Sequence, residues 1–393
     1  MSVPKLRFKD DDGRDFPDWE EKTLLKANIR VIDGDRGENY PKGDDFSADG
    51  YCLFLNAKNV TKQGFIFNDV SFITKQKDET LRKGKLIRND LIITTRGTVG
   101  NIAYFDKSIK YENIRINSGM VIIRNDNSNI SNNYLYKYFY SEKFRKVLEQ
   151  IAFGSAQPQL TVAEINKFKI DIPDFKEQTK IANFLTTIDE KIAQLTQKCE
   201  LLSRYKKGVM QQLFSQELRF KDDDGRDFPD WEDKQLKDIF TIKYGKDYKH
   251  LNSGNIPVIG TGGIMTYVDQ FLYDKPSVLI GRKGTIDKPQ FIEKPFWTVD
   301  TLFYTEINKG FCPFFVYLLA LQINWYKFNE ATGVPSLNTT AINNIDVFVP
   351  SSFQEQTKIA NFLTTIDEKI SQTQTYLETV KQYKQGLLQQ MFI

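Results

Sequence analysis

Between Ile181 and Leu213, apolar residues recur at alternating steps of four and three. The run is Ile181, Leu185, Ile188, Ile192, Leu195, Cys199, Leu202, Val209 and Leu213, with Lys206 in the one polar slot. The same spacing returns at Ile359, Leu363, Ile366, Ile370, Thr373, Leu377, Val380, Leu387 and Met391, with Lys384 in the matching slot. Apolar residues every 3.5 positions, sustained this long, mark a coiled-coil seam. Neither run contains proline, so each predicts one helix, over 177–214 and 355–393. A helix of about 38 residues is about 57 Å long. Two such helices in one chain most simply pack together, antiparallel if the modules bearing them are related by a two-fold. A lysine at the same seam position in both helices reads as a register device, or as a side chain that snorkels to water.

Outside these runs the apolar pattern shortens to strand length. Leu91 to Phe105 (LIITTRGTVGNIAYF) predicts a strand, a glycine turn and a strand, and Val278 to Phe291 (VLIGRKGTIDKPQF) repeats that order. Ile116–Ile123 and Trp297–Tyr304 both predict a polar turn entering an apolar strand. Tyr134–Leu148 and Phe314–Phe328 are aromatic-rich stretches of helical length. FKIDIP and IDVFVP then predict a strand ending in proline before each long helix. The expected fold class is α+β. Two mixed domains are separated by a long antiparallel two-helix coiled coil, with a pseudo-two-fold internal repeat.

Two passages are identical in both halves. LRFKDDDGRDFPDWE occupies Leu6–Glu20 and Leu218–Glu232, and EQTKIANFLTTIDEKI occupies Glu177–Ile192 and Glu355–Ile370. The offsets are 212 and 178, so the second insert is 34 residues shorter than the first. One scaffold holding two dissimilar inserts predicts two different specificities. The domain boundaries expected from this are 1–176, with the motif at 6–20; 177–214; 215–354, with the motif at 218–232; and 355–393.

Composition changes the picture mainly by exclusion. The chain has 393 residues, 40% hydrophobic and 27% charged, an ordinary globular composition. Cys52, Cys199 and Cys312 are isolated, and the start lacks an apolar signal region, which predicts a cytoplasmic protein. The apolar run Phe311–Tyr326, interrupted by Pro313, falls short of a membrane span. Net charge is +3, but residues 21–176 carry +6, residues 233–354 carry +1, and each DDDG motif carries −3. Acidic motifs avoid phosphate and suit either solvent or a basic partner. There is no phosphate-binding GxxxxGK[ST] loop, and His250 is the single histidine, so nucleotide motors and histidine-based catalysis are not encoded.

The chemistry that remains lies in the glycine turns. A glycine lets backbone approach a ligand, and flanking basic and hydroxyl side chains supply donors to phosphates or base edges. The candidates are Arg96, Gly97 and Thr98 in the first insert and Arg282, Lys283, Gly284 and Thr285 in the second. Two later loops add amide and hydroxyl groups suited to base edges: Ser155, Gln157 and Gln159, then Ser336 and Asn338. No catalytic or metal-binding constellation stands out.

The order of parts resembles the DNA-specificity subunits of type I restriction–modification systems. The resemblance rests on FPDWE before an apolar strand (Trp19, Glu20, Leu24; Trp231, Glu232, Leu236) and on GNIPVIGTGGI at 254–264. It rests also on the basic Gly-Thr turns and on EQTKIANFLTTIDEKI opening each helix, and it covers essentially the whole chain. It implies that each insert is a target recognition domain reading half of an asymmetric bipartite site in double-stranded DNA. It implies that the coiled coil sets the spacer and docks two methyltransferase (modification) subunits, with motor–endonuclease (restriction) subunits joining. S-adenosylmethionine, ATP and Mg²⁺ then belong to those partners, and this chain is non-catalytic, with no role at a membrane. The competing expectations are a coiled-coil scaffold whose inserts bind proteins, and a nuclease with an unrecognised carboxylate site.

Overall fold

The four-three runs form helices at Phe175–Phe214 and Phe353–Met391, each beginning two residues before its expected start. These come from a computed structural model of the chain, which describes residues 4–152 and 159–392. Seam positions are buried or half-buried along both helices, while most positions between them are exposed. Two compact units share the helices. One comprises Met1–Thr196 with Thr375–Ile393, and the other Gln197–Gln374. Each therefore holds one insert, the first half of the helix that follows it, and the last half of the other helix.

The two units have the same strand order. In the first, a four-stranded antiparallel sheet runs Ile29–Asp33, Met120–Asn125, Leu91–Thr94, Ile102–Tyr104. Its counterpart in the second runs Phe240–Tyr244, Leu302–Ile307, Ser277–Gly281, Gln290–Ile292. A three-stranded sheet accompanies each: Phe72–Ile73, Cys52–Leu55, Ile114–Ile116 in one, and Gly263–Val268, Ser253–Gly260, Trp297–Thr298 in the other. Both pair antiparallel on one side and parallel on the other. Much of the length difference lies at one place. Residues 56–71 join the first two strands of that sheet in the first unit, and residues 261–262 do so in the second. The first unit also carries a helix at Lys75–Thr80.

The predicted strands are present, including Lys169–Ile172 and Asp346–Pro350 before the long helices. The aromatic stretches depart from expectation, because neither is one helix. The first breaks between Asn132–Phe139 and Glu142–Ala152, where the buried Ser141 hydroxyl accepts the Phe144 amide at 3.3 Å and restarts the helix. The second ends at Ala320, and Trp325 folds back to donate its indole N–H to the Ala320 carbonyl at 2.9 Å.

Each core is closed by the far end of a long helix. In the first unit, Ile93, Val121, Tyr134 and Tyr138 pack with Ile181, Leu185 and Ile188, and with Leu387, Met391 and Phe392. In the second, Val278, Phe303 and Phe315 pack with Ile359, Leu363 and Ile366, and with Val209 and Leu213. Within each unit the start of one helix thus meets the end of the other, so the helices pair antiparallel. The seam lysines settle the register question. Lys206 binds Asp367 at 2.6 Å, and Lys384 binds Asp189 at 2.5 Å, the same pair made twice. Their side chains also stay partly exposed, so pairing and snorkelling coexist.

The identical passages have identical tasks. Buried Glu177 accepts Arg7 Nε and Nη2 at 3.0 and 2.7 Å and the Trp19 indole at 3.0 Å. Buried Glu355 accepts Arg219 at 3.1 and 3.0 Å and Trp231 at 3.1 Å. Gln178 and Gln356, the next residues, hold the loops entering the Asn132–Phe139 and Pro313–Ala320 helices by accepting the Ser131 and Cys312 amides at 2.8 and 2.9 Å. Lys180 and Lys358 bind Asp11 and Asp223, both at 2.7 Å. The acidic motif is a clasp on the first turns of each long helix.

Candidate nucleic-acid interface

Sheet register decides which loops meet. In the first unit, Asp33 pairs with Val121 and Thr94 with Met120. The strands Ile29–Asp33 and Leu91–Thr94 therefore end beside the start of Met120–Asn125, and loops 34–37, 95–100 and 117–119 leave the sheet at one edge. Tyr244 with Phe303 and Gly281 with Leu302 repeat this in the second unit, gathering loops 245–250, 282–285 and 299–301.

The Gly-Thr turns sit in the middle of these clusters. Gly97 and Gly284 have φ of +71° and +88°, conformations that favour glycine. The Thr95 amide donates to the Gly119 carbonyl at 2.8 Å, and the Arg282 amide to the Thr301 carbonyl at 2.8 Å. The later loops fold onto them. Leu160 N–H donates to Thr95 O at 3.1 Å; Leu337 N–H donates to Arg282 O at 2.9 Å, and Gly284 N–H to Pro335 O at 2.9 Å. The structure thus brings the backbone at Gln159–Leu160 to Thr95–Arg96, and Ser336 to Lys283, with which it forms a backbone bridge. Ser155 and Gln157 lie outside the described residues.

The candidates differ in what their side chains are free to do. Arg96, Thr98, Gln159 and Lys283 are exposed. Arg282 is tethered, donating to the Asp300 carbonyl at 3.1 Å with its guanidinium 5.5 Å from the Tyr244 ring centre. Thr285 and Ser336 are half-buried. Asn338 has a different task from the base-edge contact its amide suggested. Its side-chain oxygen accepts the Ala341 amide at 2.6 Å and caps the Thr339–Asn343 helix, and its amide donates to Glu330. Thr161 caps the equivalent turn in the first unit.

Other side chains join the edge that sequence reasoning passed over. Gly34 and Gly245 follow the first strand of each sheet, and a Cβ there would lie 2.3 and 2.0 Å from the Asn117 and Val299 carbonyl oxygens. Only glycine fits, and the next exposed cations, Arg36 and Lys246, are carried onto the edge. Arg36 donates to the Ser118 carbonyl at 3.3 Å. A glycine and then a basic residue after an apolar strand (VIDGDR, IKYGK) was the available signal. The connection inside the smaller sheet adds Lys62 and Gln63, exposed in the hairpin Val60–Thr61/Gly64–Phe65, which Asn101 holds by donating to Val60 O at 3.0 Å. In the second unit that place is the Thr261–Gly262 turn, fixed by Gln290 donating to Gly260 O at 3.0 Å. Beside the first hairpin, a cavity of about 420 Å³ is walled by Lys62, Asn101, Tyr140, Arg145 and Leu148.

The edge offers cations, hydroxyls and amides on loops set by a rigid sheet, the donor set that contacts phosphates and base edges. Among the described residues, no group of three or more His, Cys, Asp or Glu could hold a metal ion. No helix among them is long and apolar enough to cross a membrane.

Comparison with known proteins agrees with this architecture. The family model for the type I restriction modification DNA specificity domain matches twice, at 28–203 and 229–382. The type I restriction enzyme MjaVIII specificity subunit of Methanocaldococcus jannaschii is 25% identical, over 97% of this chain and 94% of its own. The crystal structure of a type I restriction–modification S subunit from M. genitalium superposes with a TM-score of 0.63 at 18% identity, covering 100% of this chain and 99% of that one. A chain from a structural study of complex assembly and conformational transition in the type I system gives 0.59 at 14% identity, covering 96% and 98%. With two matched regions spanning most of its length, the chain belongs to the type I restriction–modification DNA specificity family, as a specificity subunit rather than an enzyme.

Proposed function

We propose that each unit reads one half of an asymmetric bipartite sequence in double-stranded DNA through the loop cluster at its sheet edge. The observation that carries this is the same edge built twice on matched strands with different side chains: Arg36, Lys62, Gln63, Arg96, Thr98 and Gln159 in one, Lys246, Thr261 and Lys283 in the other. A conserved frame with altered donors suits two different half-sites. The paired helices, each about 60 Å long, set the unread spacer and carry the docking surface for two methyltransferase subunits. The study to which one structural neighbour belongs concerns assembly of such a system, which supports partner binding here. Motor–endonuclease subunits join that assembly, in the cytoplasm. S-adenosylmethionine, ATP and Mg²⁺ act on those partners.

The test is co-expression with the cognate methyltransferase, followed by sequencing of methylated adenines. One bipartite motif is expected, and only with both chains present. Arg96→Ala and Lys283→Ala should each relax one half of the motif, with a loss of about 1–3 kcal/mol of discrimination there if the contact is to a base. Equal loss across both halves would show a general charge or folding effect. An unchanged motif after exchange of residues 21–176 would favour inserts that bind proteins. Metal-dependent cleavage by the isolated chain would favour a nuclease.

A further inference from the structure

The edge of the second unit carries exposed apolar side chains. Ile264, Met265 and Val334 are 59%, 56% and 66% exposed, on two segments whose neighbouring residues reach the Gly284 turn. Val334 precedes Pro335, whose carbonyl accepts the Gly284 amide at 2.9 Å. Ile264 and Met265 leave the Thr261–Gly263 tip, and the Thr261 hydroxyl lies 3.9 Å from where a Gly284 Cβ would stand. Met265 folds across the tip so closely that a Cβ on Gly260 would meet its sulfur at 2.7 Å.

None of these side chains helps fill the core, and clustered apolar groups on a surface mark an interaction site. Lys283, on the Gly284 turn, and Lys246, on the loop after the first strand of the same sheet, are exposed cations, which suit a phosphate backbone better than an apolar protein face. The one apolar group that a DNA major groove presents is the thymine 5-methyl. At the corresponding connection, the first unit presents the polar Lys62 and Gln63.

We propose that the second unit recognises thymines in its half-site by apolar contact of Ile264, Met265 and Val334 with 5-methyl groups, Ile264 and Met265 lying on opposite faces of the hairpin tip. This rests on the DNA-reading role proposed above. The half-site of the second unit contains at least one A·T pair in contact with these residues, and its recognition is sensitive to the methyl group alone.

The experiment uses the complex with the co-expressed methyltransferase and its mapped motif, the second unit's half being the one altered by exchange of residues 233–354. Duplexes carrying deoxyuridine for thymidine in that half lose only the methyl group. Methylation efficiency should fall about fourfold per contacted methyl, and the same exchange in the other half should change it less. A variant combining Ile264→Ser, Met265→Ser and Val334→Ser, checked for an unchanged melting temperature, should lose the discrimination between the two duplexes. The proposal is overturned by a half-site without A·T pairs, by equal methylation of both duplexes, or by discrimination that survives the triple variant. It is also overturned if the variant instead weakens methyltransferase binding. Absence of sequence-specific methylation by the unaltered complex would overturn the DNA-reading role itself, a separate result.

Discussion

Glu177 and Glu355 show how one residue can fix an entire segment. Each buried carboxylate gathers an arginine and an indole from a motif far away in sequence. Removing it leaves an indole N–H without its partner and a guanidinium without its counter-charge, held only by the backbone carbonyls of Phe16 and Pro17 or of Phe228 and Pro229. Glu355→Ala should cost about 3 kcal/mol, read in urea unfolding, while Glu355→Gln, which still accepts the Trp231 N–H, should cost less. Asp78 is the other residue with a predictable signature. Burial pushes its carboxyl up, but hydrogen bonds from Lys85 and Arg115 outweigh that and hold it below the ordinary value. A depressed carboxyl contributes stability that is fully present above the unfolded pKa of about 4 and is lost as pH falls through the folded value. In Asp78→Asn that contribution is absent at every pH, so stability near neutral pH should fall and its dependence on pH on the acid side should flatten, read by urea unfolding at a series of pH values. At this scale the sequence was only partly readable. Arg96 and Lys283 stood out because a Gly-Thr turn follows each, and both lie exposed at the edge. Arg36 and Lys246 did not, because the need for the glycine before them arises from a carbonyl in a loop distant in sequence. Asn338 carried the right functional group for base contact, yet its backbone neighbours use it as a cap.

Among the elements, the long helices were the most legible because a 3.5-residue period over so many turns has no other geometry. The lysine in each seam was legible as an exception, but its partner was not, since Asp189 and Asp367 lie off the apolar pattern. The aromatic stretches misled because aromatic residues carry no period; the buried Ser141 and the returning Trp325 break them. The seam pairs give a test at this scale. Lys206 and Asp367 are 21% and 40% exposed, so water screens the pair and its worth is about 1 kcal/mol or less. Lys206→Asp should lower the melting temperature by a few degrees, and adding Asp367→Lys should restore most of it. Failure of the double variant to recover would mean that the lysine stem, not its charge, matters at the seam.

For the whole molecule, the division into units cuts across the modules that the repeats define. The second unit is one continuous stretch, Gln197–Gln374, whereas the first needs Thr375–Ile393 to complete it. A fragment of residues 197–374 should fold alone, with a cooperative thermal transition and the protease resistance of the intact chain. A fragment of residues 1–196 should not, and adding a peptide of residues 375–393 should order it. The duplicated letters announced a two-part molecule, but this dependence was not visible in them. It arises from which helix end reaches which core.

The seating of Phe392 against Trp19, Tyr134 and Tyr138 has a consequence for the order of events at the ribosome. Domains made during synthesis generally fold from the N-terminus onward. Here the stretch that emerges first lacks its closing wedge until the stretch after it has been made, so the later unit can mature before the earlier one. A prematurely ended product would hold a finished second unit and an open, protease-sensitive first unit. The last turns of the second helix thus act as a completion check, and a chain that passes it has both units folded.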